Sequence, residues 1–214
     1  MAFNGLEVNI DRSDNNYFIL EEEINELFIN LGYGKDSQLL SGLDIRKIEQ
    51  LVNNNPAARV ANAYTTVDGK LKIDIKQRIP LLRVFSKSGS SFYLDELGEM
   101  MPLSEKFTAR VLIANGNIED KDSLNDLFQL AKFIRNNEFW NAQVTQIYIN
   151  AENEIELITR VGNQVVLFGD VSDMEEKFGK LMIFYKMGLK KTGWNLYSHI
   201  NLKFKNQVVC IKNQ

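Results

Sequence analysis

His199 and Cys210 are the chain's sole histidine and sole cysteine, so a Cys–His nucleophile pair or a zinc site would have to be built from them. They lie on two β-prone stretches, "YSHINLKF" and "QVVCIK", and a hairpin turning near Lys205-Asn206 would bring them close. A nucleophile pair also needs an orienting third group and an oxyanion pocket, and the sequence points to neither. Zinc takes several Cys and His ligands, and one of each is too few. Cys210 reads best as a small buried hydrophobe. "DELGE" (Asp95 to Glu99) clusters carboxylates as glycosidic acid–base chemistry would require. Placed around Gly98 between two short strands, they read instead as a solvated hairpin tip. "GYGK" (Gly32 to Lys35) follows a helix, whereas a phosphate-binding loop precedes one. Met182, Phe184, Tyr185 and Trp194 are aromatic-rich but fall mostly on a helical core face. No catalytic residue, metal or cofactor is expected, and the chain reads as a non-enzyme.

With 214 residues, 44% hydrophobic and 25% charged, the chain has the make-up of a folded protein with one large or two small domains. A net charge of -3 supplies no global field to recruit nucleic acid or an anionic membrane. Basic and acidic residues read as interspersed, without a single-sign tail. One cysteine allows no internal disulfide, which suits the cytosol or an exported domain with a sufficient core. No apolar run approaches the roughly 20 residues that span a bilayer. The start, "MAFNGLEVNI", lacks the regions of a signal peptide. The chain is expected to be soluble.

The elements follow from periodicity. "LEVNID" reads as a strand. Glu21, Glu22 and Glu23 then precede an Ile24, Leu27, Phe28, Leu31 stripe at helical spacing, with acidic residues suited to the helix N-terminus and Gly32 and Gly34 as the stop. A second helix runs through Ile45, Ile48, Leu51 and Val52 and ends before Pro56. "RVANAYTTV" and "KLKIDIKQ" are strands joined at Asp68-Gly69, a tight-turn signal. The order is β-α-α-β-β. Next come short strands "LLRVFS", "SFYLDE", "EMMPL" and "ARVLIA", and a helix capped near Ser123. Strands "VTQIYIN", "EIELITRV" and "QVVLFG" follow. Ser172 and Glu175 form a capping-box pattern before a helix burying Met174, Phe178, Leu181, Met182 and Tyr185 and closing at Gly188. The two β-prone stretches around His199 and Cys210 end the chain.

One strand breaks its own rule. Leu71, Ile73 and Ile75 alternate with Lys72, Asp74 and Lys76, then Gln77-Arg78-Ile79-Pro80 intervenes and apolar residues resume. Proline cannot donate to a ladder and suits a strand start, and it pushes Ile79 toward an extended conformation. Pro80 therefore reads as a stiff junction holding two domains at a set angle, residues 1–79 and 80–214. Arg78 has two readings, a charge ending a strand or a guanidinium clamping that junction. The closing strands also have two readings. They complete a sheet, or they leave an edge whose unpaired N–H and C=O groups receive another chain.

The run "IEQLVNNNPAARVANAYTTVDGKLKIDIKQRIPLLRV", followed by "FYLDELGEMMPLS", resembles the extracytoplasmic part of the FtsQ/DivIB family of bacterial division proteins, in the form found in Bacteroidetes-type bacteria. The matching features are Ile48-Glu49, Asn55-Pro56, Gly69, Gln77-Arg78-Ile79-Pro80, Tyr93-x-Asp95-x-x-Gly98 and the closing "INLKFKNQVVCIK". The resemblance implies an α+β fold, a POTRA module (β-α-α-β-β) followed by a mostly antiparallel β domain with flanking helices. It implies a non-catalytic divisome scaffold at the inner membrane and division septum, mostly periplasmic, bearing on septal peptidoglycan synthesis. One transmembrane anchor would precede Met1. FtsB-like and FtsL-like partners would bind by strand addition at the C-terminal edge, and other division proteins through the POTRA module. By position, the family's basic-aromatic pair in the penultimate strand falls on Lys203-Phe204, and its partner edge on Asn206, Gln207, Val208 and Val209. The chain departs from the family at Lys205-Asn206-Gln207, where a glycine-containing turn is common, and at Ala57-Ala58, where a β-branched residue is usual. Two rival functions are a POTRA-type chaperone or assembly module of outer-membrane biogenesis or secretion, and a Cys–His hydrolase.

Overall fold

Leu71, Ile73 and Ile75 are all but sealed from solvent, as their alternation with charged residues predicts for a strand with one buried face. The computed structural model describes residues 1–34 and 39–213; Lys35 of the "GYGK" stretch and the terminal Gln214 lie outside the described residues. The chain divides into two compact units. The first comprises Met1–Ile79 and Met101–Ala109, the second Pro80–Met100 and Arg110–Gln214.

In the first unit the order is β1 (Leu6–Ile10), α1 (Glu21–Asn30), a 3-10 turn at Leu40–Gly42, α2 (Ile45–Asn53), β2 (Ala58–Thr65) and β3 (Leu71–Gln77). The strands lie in the order β1-β3-β2. β1 runs parallel to β3, with Val8 opposite Ile73, and parallel neighbours need a long crossover, which the two helices supply. Ile24, Phe28, Ile48 and Val52 on the helices are buried with the inner residues of β3. The Leu20 N–H bonds to Glu23 Oε2 (3.0 Å) at the start of α1, and Asp44 caps α2 by accepting from the Lys47 N–H (3.0 Å). Gly32, at φ +83°, ends α1 in a conformation that a side chain would strain. Within the same unit, the Phe107 ring meets Phe18 edge-on at 4.9 Å, and Lys106 pairs with Glu23.

Gln77 explains why β3 ends on a polar residue. Its buried side-chain amide accepts from the Ile19 N–H (2.9 Å) and donates to the carbonyls of Asn16 (2.9 Å) and Asp11 (3.1 Å). The amide thus stitches the β1–α1 connection to the end of the sheet.

From Pro80 onward the elements are β4 (Pro80–Phe85), β5 (Ser91–Asp95), β6 (Met100–Met101, at the point where the chain passes back to the first unit), β7 (Leu112–Gly116), α3 (Lys121–Arg135), α4 (Glu138–Gln143), β8 (Val144–Ile149), β9 (Ile155–Thr159), β10 (Val165–Gly169), α5 (Met174–Ile183), a π-helical stretch Phe184–Leu189, α6 (Lys190–Thr192), β11 (Tyr197–Asn201) and β12 (Val209–Lys212). The sheet order is β12-β11-β10-β9-β8-β7-β4-β5-β6. Hairpins give antiparallel pairs, whereas β4–β7, β7–β8 and β10–β11 are parallel. The last two are bridged by α3–α4 and by α5 with its continuation. Leu127, Leu130, Ile134, Phe178 and Leu181 from the helices share one core with Leu82, Ile147, Leu157, Val166 and Ile200 from the strands. Phe133 stacks on Phe178 at 5.0 Å within it.

Several expected boundaries move. α5 begins at Met174 after Asp173 in the left-handed region, because Ser172 spends its N–H and hydroxyl on Asp170 rather than capping the helix. Asp120, not Ser123, caps α3, accepting from the Ser123 N–H (2.7 Å). Gly188 does not close its helix. The chain passes through it in π-helical form and turns only at Gly193 (φ +84°). α4, unread in the sequence, starts from Asn137, which accepts from the Trp140 N–H (3.1 Å).

Candidate partner-binding edge

β12 stands at one end of the nine-strand order, with β11 as its single strand neighbour among the described residues. His199 lies opposite Ile211, Ile200 opposite Cys210 and Asn201 opposite Val209. Three hydrogen bonds fix which way the backbone groups face. The Leu202 N–H bonds the Leu167 carbonyl (3.0 Å) on the β10 side, and the Asn213 N–H bonds the Leu196 carbonyl (2.9 Å). Ser198 Oγ donates to the Ile211 carbonyl (3.3 Å). Backbone groups alternate along a strand, so Val209 and Ile211 turn theirs toward β11. The N–H and C=O groups of Cys210 and Lys212 therefore face outward.

The same pairing separates the two residues that could have made a nucleophile. Ile200 and Cys210 point to the core side, while His199 and Ile211 point to the opposite face. Cys210 is half-buried, and burial raises its thiol pKa, against the thiolate that catalysis needs. His199 Nδ1 instead sits 3.0 Å from Ser198 Oγ. No Cys–His dyad forms. Among the described residues no cluster of His, Cys, Asp or Glu could hold a metal. In "DELGE", the fully buried Asp95 accepts from the N–H groups of Leu97 (3.0 Å) and Glu99 (2.9 Å), which closes a hairpin tip.

Of the residues marked for partner contact, Val209 alone lies in a strand. β11 stops at Asn201, so Lys203 and Phe204 fall in the β11–β12 connection rather than in the penultimate strand; Asn206, Gln207 and Val208 share that connection. The strand breaks because Asn201 turns its side chain to accept the Lys203 N–H (2.9 Å). Lys203 Nζ then pairs with Glu154 at 2.8 Å, and Asn206 takes the left-handed conformation (φ +59°) that a glycine often supplies. Phe204 is left 46% exposed. Val208 packs against the core, while Val209 and Ile211 are exposed on the far face.

Lys180 and Lys177 on α5 brace this region. Lys180 Nζ donates to the Leu202 and Phe204 carbonyls, and Lys177 pairs with Asp170 at 2.7 Å. With Glu154 and Lys203 they line a polar groove of about 240 Å³. The sequence signal for this end of the molecule was its charge. Residues 177–214 hold eight lysines and no Asp or Glu, a bias hidden by the near-neutral total.

The Arg78 N–H bonds the Ala57 carbonyl (2.8 Å) and its guanidinium donates to the Pro56 carbonyl (3.2 Å), tying the end of β3 to the start of β2. Pro80 is the first residue of β4, and its carbonyl accepts from Arg135 (3.1 Å).

This fold and edge define an α+β protein in which a POTRA-like module precedes a domain built on one large sheet. Two family models match accordingly, a POTRA-like domain over residues 3–76 and the FtsQ/DivIB C-terminal related domain over residues 79–211. No curated protein matches the chain. The chain belongs to the FtsQ/DivIB family, non-catalytic divisome components that work with other division proteins. No helix among the described residues is long and apolar enough to cross a membrane.

Proposed function

We propose that the protein is a non-catalytic scaffold of the division machinery. It links early and late division proteins at the periplasmic face of the inner membrane and bears on septal peptidoglycan synthesis through protein contacts. An anchor helix preceding Met1 would hold it to the membrane, with the modules dividing at Ile79–Pro80. Its C-terminal edge receives an extended segment of an FtsB-like protein, alone or with an FtsL-like one, and the POTRA module contacts further division proteins.

The observation that carries this reading is the outward-facing backbone of Cys210 and Lys212, on the same edge that the exposed Phe204 precedes. Main-chain hydrogen bonds would supply affinity and side-chain pockets selectivity. The POTRA module's outer strand supports the same choice from the other direction. On β2 the Ala61 N–H and C=O are taken by the Asn53 amide (2.8 and 2.9 Å) and the Ala63 N–H by Glu49 (2.8 Å). Side chains of α2 thus occupy the groups that an added strand would use, which weighs against a chaperone-like module that binds peptides along that edge.

The test is capture of an FtsB-like extracytoplasmic segment, measured by calorimetry. Truncating an aromatic anchor costs on the order of 2 kcal/mol, so Phe204→Ala should weaken capture about thirty-fold with the melting temperature little changed. Unchanged capture by a folded variant removes Phe204 as the anchor. Unchanged capture after deletion of residues 208–214, with the fold intact, removes the edge itself.

A further inference from the structure

Net charge conceals a division along the chain. Residues 1–176 hold seventeen Lys and Arg against twenty-eight Asp and Glu, whereas residues 177–214 hold eight lysines, no arginine and no acid. The structure sorts those lysines. Lys177 and Lys180 are spent on Asp170 and on the Leu202 and Phe204 carbonyls, and Lys203 on Glu154. Lys186, Lys190 and Lys191 are exposed, as are Lys205 and Lys212 beside the β12 edge, and none of the described residues pairs with these five.

Lys186, Lys190 and Lys191 sit on the helical stretch that runs from α5 through the π-helical turn into α6. A π-helical turn takes in more residues than an α-helical one, so positions four apart stay stacked. Leu181, Tyr185 and Leu189 form the buried row. Ile183 and Met187 form the outward row, 61% and 64% exposed, the most exposed large apolar side chains of their unit. This face therefore presents an outward apolar ridge flanked by three lysines that no described residue pairs.

We propose that this ridge docks on an anionic lipid bilayer, with Ile183 and Met187 entering the headgroup boundary and Lys186, Lys190 and Lys191 contacting lipid phosphates. The composition favours a bilayer over a protein. Protein interfaces are enriched in arginine and depleted in lysine, because a planar guanidinium can pair bidentately with one fixed carboxylate. A diffuse sheet of phosphates needs only mobile point charges, and this region offers lysine alone. Basic residues beside an apolar face are the usual make-up of helices that lie on membranes.

The test is co-sedimentation of the whole chain with vesicles of equimolar phosphatidylglycerol and phosphatidylcholine, and with phosphatidylcholine alone. Binding is expected to the anionic vesicles only, and to weaken with salt as the charges are screened. Each surface lysine contributes about five-fold to such binding, so Lys186→Gln, Lys190→Gln and Lys191→Gln together should lower partitioning roughly a hundred-fold. Ile183→Ser with Met187→Ser should lower it by about ten-fold or more while circular dichroism shows an unchanged fold. Added inorganic phosphate at matched ionic strength should not displace the protein; displacement would assign the lysines to a free anion and overturn the proposal. Absence of binding at low salt, equal binding to neutral vesicles, or wild-type binding by the triple lysine variant would each overturn it too. Equal binding to soluble polyglutamate, unaffected by the two serines, would assign the face to an acidic protein instead.

Discussion

Lys180 Nζ lies 2.7 Å from the carbonyl oxygen of Phe204 and 3.1 Å from that of Leu202. One ammonium on α5 therefore gathers two carbonyls of the β11–β12 connection, which has no strand ladder of its own. Hydrogen bonds to a charged group contribute about 1.5–3 kcal/mol, enough to order a short loop. Lys180→Met, which keeps the apolar stem, should speed amide exchange across residues 203–208 by roughly ten-fold or more. The melting temperature should move little. Exchange that stays at the wild-type rate would show that the Lys203–Glu154 pair orders the loop alone.

Leu181 is fully buried between α5 and the sheet, in the row expected from its spacing with Phe178 and Tyr185. Leu181→Ala should cost roughly 2–5 kcal/mol, as large-to-small changes in packed cores do. Urea denaturation measures this directly. A loss under about 1 kcal/mol would mean that the core closes over the gap.

Asp170 offers a pH signature. The hydrogen bond from Lys177 holds its carboxyl down to about 2, helped by Ser172 and opposed by partial burial. The folded value lies below the ordinary carboxylate value of about 3.9. The resulting stability is therefore complete above about pH 4 and is lost as pH falls toward 2. Asp170 is 73% exposed at its side chain, so solvent screens the pair and the effect is modest. Asp170→Asn should melt below wild type at neutral pH, with the gap narrowing as acid is added. A gap that is constant down to about pH 2 would detach the pair from the acid response.

The two modules were legible because their signals are local. Alternation set β3, stripes set α1 and α2, and the Asp68-Gly69 turn set the β2–β3 hairpin. What escaped were polar stitches across long stretches of chain. Gln77 reaches residues some sixty positions earlier, and no periodicity announces that its amide will be buried. Ser172 looked like a cap, yet Asp170 competed for it, as short polar side chains do near helix starts. The family pattern placed Lys203-Phe204 in a strand, but the Asn201 side chain ended β11 first. The basic C-terminal region was readable from the letters, and averaging charge over the whole chain obscured it.

Alternation along β12 separates the two roles of its backbone. Ile211 faces β11 and serves the protein's own sheet, while Cys210 faces outward with nothing from the described residues to pair it. Proline deletes an N–H and is tolerated in a sheet only at an edge. Cys210→Pro should therefore leave the β11–β12 hairpin folded, with a modest fall in melting temperature, because its missing donor faces outward. Ile211→Pro should remove an internal bond and push the ring into β11, melting the hairpin. Amide exchange at Tyr197–Asn201 distinguishes the two, slow in the first variant and fast in the second. Capture of an FtsB-like segment then tests the edge. Strand addition requires the Cys210 donor, so Cys210→Pro should bind more weakly although its hairpin is intact, and Cys210→Ser, which restores the N–H, should bind as wild type does. Wild-type binding by Cys210→Pro would place the partner elsewhere on the domain.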